Sequence, residues 1–340
     1  MAIEYMGLKN IDGPLAVIDH LTGASNEELV TMSLPDGSKR LGKVVALEGD
    51  RAVIQVFEGT SGLSLVNTKT RLMGKPMTLA LSREILGRTF DGVGRPIDSL
   101  GDYYADEVRD VNGSPINPVS RSYPNNFIQT GISSIDCLAT LIRGQKLPIF
   151  SGDGLPHDDL AVQIARQAKI SDEGGEDKFA IVFAAMGVKH DVANYFRRSF
   201  EESGVLNKVV MFLNLSNDPV VERIITPRAA LTAAEYLAFR HDMHVLVILT
   251  DMTSYAEALR EISSSKGEVP SRKGYPGYLY SDLASLYERA GIIKDAKGSV
   301  TQVPILSMPN DDITHPVPDL TGYITEGQIV LGRDLNTAGV

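Results

Sequence analysis

The chain has no tryptophan and a single cysteine, Cys137. One thiol excludes an internal disulfide and fits a reducing compartment. The expected role of Cys137 is that of a small buried apolar residue. A basic excess is also missing: the formal net charge is -10, which argues against nucleic acid as the main partner. Long apolar runs are absent too. The longest stretches, around Val209–Leu213 and Val245–Leu249, fall far short of the ~20 residues needed to span a bilayer. No basic segment followed by an apolar run opens the sequence, so no signal peptide is expected. The Asn214-Leu215-Ser216 sequon therefore reads as accidental. No low-complexity tract occurs.

What is present is ordinary globular material. Hydrophobic residues make up 43% and charged residues 22% of 340 positions, enough for one large or two ordinary domains. Residues 1 to about 75 alternate short β patterns with turns. Leu15–Ile18, Leu29–Leu34, Lys43–Leu47 and Ala52–Phe57 read as strands, punctuated by Pro35-Asp36-Gly37 and Gly49-Asp50. Several short strands without helices suggest a small barrel. From about 76 to 127 the chain is dense in Gly and Pro, as in Gly87 through Asp98 and Ile116-Asn117-Pro118. Gly92 and Gly94 read as turn glycines rather than a dinucleotide fingerprint, since no helix follows them.

From about 128 the pattern changes. Phe179–Ala185, Val209–Leu213 and Val245–Leu249 are continuous apolar runs of strand length. Helical patterns lie between and after them, at about 191–203, 219–241 and 254–265. Later strands are expected at Val300–Leu306 and Gln328–Leu331. Continuous apolar strands separated by helices mean a parallel sheet covered on both faces. Thr226-Pro227-Arg228 predicts a break or kink in the long helix.

The most telling stretch is Ser151-Gly152-Asp153-Gly154-Leu155-Pro156-His157-Asp158. A short buried strand, Gln145–Phe150, precedes it, and a helix with Leu160, Ile164 and Ala168 on one face follows it. Strand, glycine-containing loop and helix form the setting of a phosphate-binding loop, G-x-x-x-x-G-K-[ST]. On that template Ser151 takes the first Gly position and Pro156 the second. His157 takes the Lys position, and Asp158 the hydroxyl position. Proline removes a backbone donor, histidine is mostly neutral at pH 7, and Asp158 sets a carboxylate where phosphate oxygen would approach. The expectation is a nucleotidase-like fold whose own hydrolytic site is dead. Asp251 ends the run at 245–249, where a Walker B carboxylate would hold Mg²⁺ through water.

Over essentially its whole length the sequence closely resembles the B subunit of vacuolar and archaeal-type rotary ATPases. The carriers, in order, are Phe57–Gly62, Gly87–Asp98, Phe127–Ser133, Arg143–Pro148 and Phe150–His157. Leu231–Leu237, Thr250–Thr253 with Glu257–Ser263, Gly274–Leu279 and Thr314–Ile324 complete the set. The resemblance implies an N-terminal β-barrel (1–75) followed by a RecA-like, P-loop NTPase-type α/β domain (76–340), a parallel sheet flanked by helices. It further implies a non-catalytic regulatory subunit. Such a subunit alternates with catalytic A subunits in a ring that couples ATP synthesis or hydrolysis to proton or sodium transport. The expected partners are the A subunit and the central- and peripheral-stalk subunits. The expected location is cytoplasmic, reaching the membrane only through the complex.

Catalytic relatives carry Gly-Glu-Arg after the strand that follows the phosphate-loop helix, and that Glu orients the attacking water. Here the stretch is Met186-Gly187-Val188-Lys189, and Val188 cannot polarise water. No catalytic residue and no metal site are therefore expected. Residues 151–158 with Asp251 remain a degenerate or weak nucleotide site. No cofactor is required, and ATP or ADP with Mg²⁺ would sit at the interface with the A subunit. Thr314, His315 and Pro316 are the candidates for that interface, and Arg260, Arg272 and Arg289 could supply charge there. The family's arginine finger and C-terminal helical domain are expected to be absent from this chain. Two other readings compete: a nucleotide-free structural module that docks the stator, and a stand-alone P-loop-like hydrolase. The latter lacks any nearby replacement for the lysine charge.

Overall fold

In the computed structural model, residues 4–113, 115–123, 125–171 and 178–338 are described. The first seven strands are β1 (Glu4–Met6), β2 (Asn10–Asp12), β3 (Leu15–Ile18), β4 (Leu29–Ser33), β5 (Lys39–Glu48), β6 (Arg51–Val56) and β7 (Lys69–Leu72). They pair antiparallel in the order β1-β7-β4-β5-β6-β3-β2. The two edge strands are consecutive in the chain. Gly7 N–H still bonds back to Thr68 O on the β7 side, while Lys9 N–H bonds to Val17 O on the β3 side. One short segment thus serves both edges and closes the sheet, which removes the exposed edges an open sheet would present. Inside lie Ala16, Ile18, Val30, Met32, Val44, Ala52, Ile54 and Val56.

The joining region contributes β8 (Thr78–Leu81), β9 (Thr89–Asp91) and β10 (Glu107–Asp110). β8 and β10 pair with each other, whereas β9 joins the main sheet beside a later strand. That sheet comprises β11 (Ile149–Gly152), β12 (Phe179–Val188), β13 (Val209–Leu215), β14 (His244–Thr250), β15 (Gly291–Ile292), β16 (Ser299–Met308) and β17 (Ile329–Val330). Its order is β17-β11-β16-β14-β12-β13-β9, all parallel, with the short β15 antiparallel on β16. The helices are α1 (Ser133–Leu138), α2 (His157–Gln167), α3 (His190–Glu202), α4 (Val220–Arg240), α5 (Met252–Ser265), α6 (Leu279–Tyr287), α7 (Pro316–Ile324) and α8 (Arg333–Thr337).

Alternation along β12 divides the core in two. Phe179, Ile181, Phe183 and Ala185 face one side with Ile164 of α2 and Phe196 and Phe200 of α3. Ala180, Val182, Ala184 and Met186 face the other, with α4 through α7. Both faces are covered, so the strands read as unbroken apolar runs. The carboxyl ends of β11, β14, β12, β13 and β16 share one edge, where ligands bind in open parallel sheets.

Four local expectations need correction. First, α4 is continuous across Pro227, so the break, one of the two expected outcomes there, does not occur. Proline removes only the bond from residue 227 to the carbonyl of 223. The Thr226 hydroxyl adds a bond to Glu222 O at 2.8 Å, and the buried face of α4 holds the rest. Second, α2 begins at His157, earlier than the apolar periodicity shows, with Asp158 and Asp159 in its first turn. Carboxylates there are favoured by the exposed amide ends of the helix. Third, Cys137 is exposed. It sits on the outer side of the six-residue α1, whose inward contact is made by Ile135. Fourth, Gly92 is not simply a turn glycine: a Cβ there would lie 2.7 Å from Thr226 Oγ1 and 3.2 Å from Glu222 O. It lets the joining region press against α4.

Candidate functional site

The degenerate loop occupies the carboxyl end of β11, between β16 and β17. Ser151 is fully buried, and its hydroxyl lies 3.1 Å from His157 Nδ1 and 3.1 Å from Gly152 O. Residues 151 and 157, the first-glycine and lysine positions of a working loop, are therefore bonded to each other. Pro156 caps α2 without a side-chain bond, and it has no N–H to offer. Leu155, which is buried, accepts the His157 N–H at its carbonyl at 2.8 Å.

A salt bridge lies beside the mouth of the loop. Arg333, in the first turn of α8, grips Asp311 through Nε–Oδ2 at 2.7 Å and its terminal nitrogen to Oδ1 at 2.8 Å. That nitrogen also donates to Asp153 O at 2.7 Å. The guanidinium holds the Asp311 carboxyl below the ordinary carboxylate range. A Cβ on Gly152 would meet Asp311 Oδ1 at 2.3 Å and the Arg333 nitrogen at 2.9 Å. The space that glycine leaves beside the loop is filled by the protein's own ion pair.

Asp251 is similarly engaged. Oδ1 accepts from Thr253 N–H at 2.9 Å, capping α5, and from Ser307 N–H at 3.0 Å. Oδ2 accepts from the Ser307 hydroxyl at 2.5 Å. Both oxygens tie β14 to β16. Asp158 stands close by, its Oδ1 buried without a hydrogen-bond partner and 3.8 Å from His157 Nε2. Burial raises its pKa first; the carboxylates of Asp251 and Asp159 add to this and His157 opposes it. Among the described residues no group of three or more His, Cys, Asp or Glu side chains is arranged to hold a metal ion.

These residues do not fit a Mg²⁺-nucleotide. Phosphate needs convergent N–H groups and a cation. The loop instead offers a proline, a histidine bonded to Ser151, and carboxylates. At the water-positioning place, Val188 ends β12 and packs against the core on the α3 side. The preceding Gly187 donates to Asn214 Oδ1 at 3.1 Å. Asn214 is wholly buried, so the sequon points inward.

Thr314, His315 and Pro316 form the entry to α7. Thr314 is exposed and bonds to Asp312, through both its N–H and its hydroxyl. His315 is only 6% exposed. It caps α7, accepting the Val317 N–H at Nδ1 at 3.5 Å, and stands edge-on to Tyr275. Burial, then Lys273, lowers its pKa. Pro316 is buried as the first residue of the helix.

The three arginines differ. Arg272 is half-exposed and bonds to Asp319 and Thr314 O. Arg260 pairs with Glu257 and lies over Tyr275. Arg289 is fully buried, gripping Glu235 at 2.6 and 2.8 Å together with Val111 O and the Thr232 hydroxyl. It cannot supply charge to an interface. The ion pair of Arg333 with Asp311 and the clamp of Ser307 on Asp251 carry no local sequence signal, because each joins residues from separate elements.

A parallel sheet covered on both faces and fused to a closed barrel, with the loop of residues 151–158 at the carboxyl end of β11, narrows the field, and comparison with known proteins decides it. Residues 131–340 match the model of the ATP synthase alpha/beta family, nucleotide-binding domain, and residues 9–71 its beta-barrel domain. The chain belongs to this family. It is 64% identical over 336 residues to "V-type ATP synthase beta chain 2" of Clostridium tetani, covering 99% of this chain and 73% of that protein. The V-type ATP synthase beta chain of Halothermothrix orenii is 65% identical over 337 residues, with 99% and 72% covered. The B subunit of the A-type ATP synthase of Nitrosopumilus maritimus is 62% identical over 338 residues, with 99% and 73% covered. Within the family, the chain stands with the B or beta subunits of V/A-type rotary ATP synthases. Among the described residues no helix is long and apolar enough to cross a membrane.

Proposed function

We propose that this chain is the non-catalytic subunit of its rotary ATPase. In this reading it alternates with catalytic A subunits in a ring that couples ATP synthesis or hydrolysis to proton or sodium transport, in contact with the stalk subunits. Its own loop is a structural element, and any nucleotide belongs to the interface with the A subunit. The observation that carries this is the self-satisfied loop: Ser151 and His157 bond to each other, and the pair of Arg333 and Asp311 fills the space beside Gly152. Val188 in place of a water-orienting carboxylate supports it. The same closure favours the nucleotide-free reading of the loop and weighs against a stand-alone hydrolase, which needs a cation the loop does not offer.

Calorimetric titration of the isolated chain with ATP and ADP, with and without Mg²⁺, tests this. The expected result is no binding, or binding no tighter than millimolar. Micromolar, Mg²⁺-dependent binding overturns the nucleotide-free loop. ATP hydrolysis by the purified chain that Asp251→Ala abolishes overturns the non-catalytic role itself.

A further inference from the structure

Glu222 lies in the first turn of α4 and is 7% exposed. Three segments meet there. The barrel brings Glu58, just past β6. The joining region brings Asp91 and Arg95, and the approach to α4 brings Asp218. The packing is close because residue 92 is glycine: a Cβ there would lie 3.2 Å from Glu222 O and 3.3 Å from Glu222 Cβ.

The charges at this meeting point are unbalanced. Glu222 faces three other carboxylates and one cation, Arg95. The Arg95 guanidinium is bonded to Glu58 Oε1 at 2.9 Å. Asp91 Oδ1 accepts the N–H groups of Val93 and Arg95, at 3.0 and 2.7 Å. Asp218 Oδ2 accepts the Leu215 N–H at 2.7 Å. Arg223, next in sequence, turns to Asn214 Oδ1 at 3.0 Å. The exposed amides at the start of α4 favour a carboxylate, but burial and three like charges oppose it.

We propose that the joint between the barrel and the nucleotide-binding domain is proton-sensitive. Glu222 is held there as a neutral acid, and loss of its proton loosens the docking of the two bodies. Burial first, then Asp91 and Asp218, push Glu222 up to about 7, with Arg95 opposing. The docked state therefore binds more protons than the undocked state between the ordinary 4.5 and about 7. Docking weakens as pH rises through that interval and levels off above it, by roughly three hundredfold in all if undocking restores ordinary solvation. No titration of the phosphate loop is involved, so this joint and the non-catalytic reading stand or fall separately.

The test is hydrogen exchange on the full chain from pH 5 to 8, corrected for intrinsic exchange, in wild type and Glu222→Gln. Glutamine keeps the shape and removes the charge. In wild type, the amides of residues 87–98 and of Leu41 and Phe57 are expected to lose protection more than tenfold as pH rises. The strands of the main sheet other than the edge strand β9 should not follow. In Glu222→Gln the joint should stay protected throughout. An identical pH dependence in the two proteins overturns the proposal. If Glu222→Gln does not fold, infrared spectra of wild type with ¹³C-labelled glutamate decide the matter. A protonated carboxyl band present at pH 6 and lost by pH 8 is the expected result; no such band at pH 6 overturns the proposal.

Discussion

Arg289 shows how much one side chain can hold together here. It is 0% exposed and satisfied by Glu235, Val111 O, Arg228 O and Thr232. It thereby ties α4 to the joining region and to the end of α6. Arg289→Ala leaves the Glu235 carboxylate without its partner, at a cost of about 3–5 kcal/mol. Chemical denaturation is expected to show that loss, whereas a change below about 1 kcal/mol would mean water replaces the guanidinium. The same scale separates what the phosphate loop disclosed from what it hid. Pro156, His157 and Asp158 depart from the phosphate-loop template by their identities alone, because each lacks a donor or a charge the template demands. Where Asp251 and Arg333 spend their hydrogen bonds could not be read. Ser307 lies 56 residues from Asp251, and Asp311 lies 22 from Arg333, and neither pairing follows from local chemistry.

The elements were legible in proportion to how far their residues alone decide them. β12, β13, β14 and β16 are buried on both faces, so continuous apolar runs reveal them. β3 to β6 alternate and are bounded by turn residues. The edge segment of β1 and β2, and β7 with Lys69-Thr70-Arg71-Leu72, carry no such pattern, since barrel closure stabilises them rather than their own hydrophobicity. Helix α7 shows a further hidden determinant, its histidine cap. His315 Nδ1 can accept the Val317 N–H only while unprotonated, and burial lowers its pKa. Below the ordinary 6.5 the unfolded chain takes a proton that the folded chain refuses. This residue therefore withdraws stability as pH falls from 6.5 toward its lowered value. His315→Asn keeps a capping acceptor and removes the titration. The stability of the variant relative to wild type should rise as pH drops from 7 to 5. A constant difference across that range would mean His315 stays ordinary in the fold.

At the scale of the whole molecule, the barrel and the nucleotide-binding domain share a core. Leu29 and Phe57 of the barrel belong to the same buried cluster as Met77, Leu79 and Leu81 of the joining region, and through them α4 and its face of the main sheet. The contact is not continuous: a cleft of about 360 Å³ lies between Glu27, Lys43 and Gln55 on the barrel side and Arg228, Leu259 and Lys266 on the helices. Two bodies facing each other across a polar-lined cleft alone would unfold separately, whereas a continuous apolar cluster couples them. Phe57 decides between these, because it is fully buried at the seam. Phe57→Ala removes its ring at a cost of about 3–5 kcal/mol. If the seam couples the bodies, scanning calorimetry shows one transition in wild type, and the variant shifts it as a whole. Two resolved transitions, with Phe57→Ala moving only the lower one, would show that the barrel melts alone. The glycine at 92 and the protonated Glu222 would then serve the geometry of docking without making the chain a single cooperative unit.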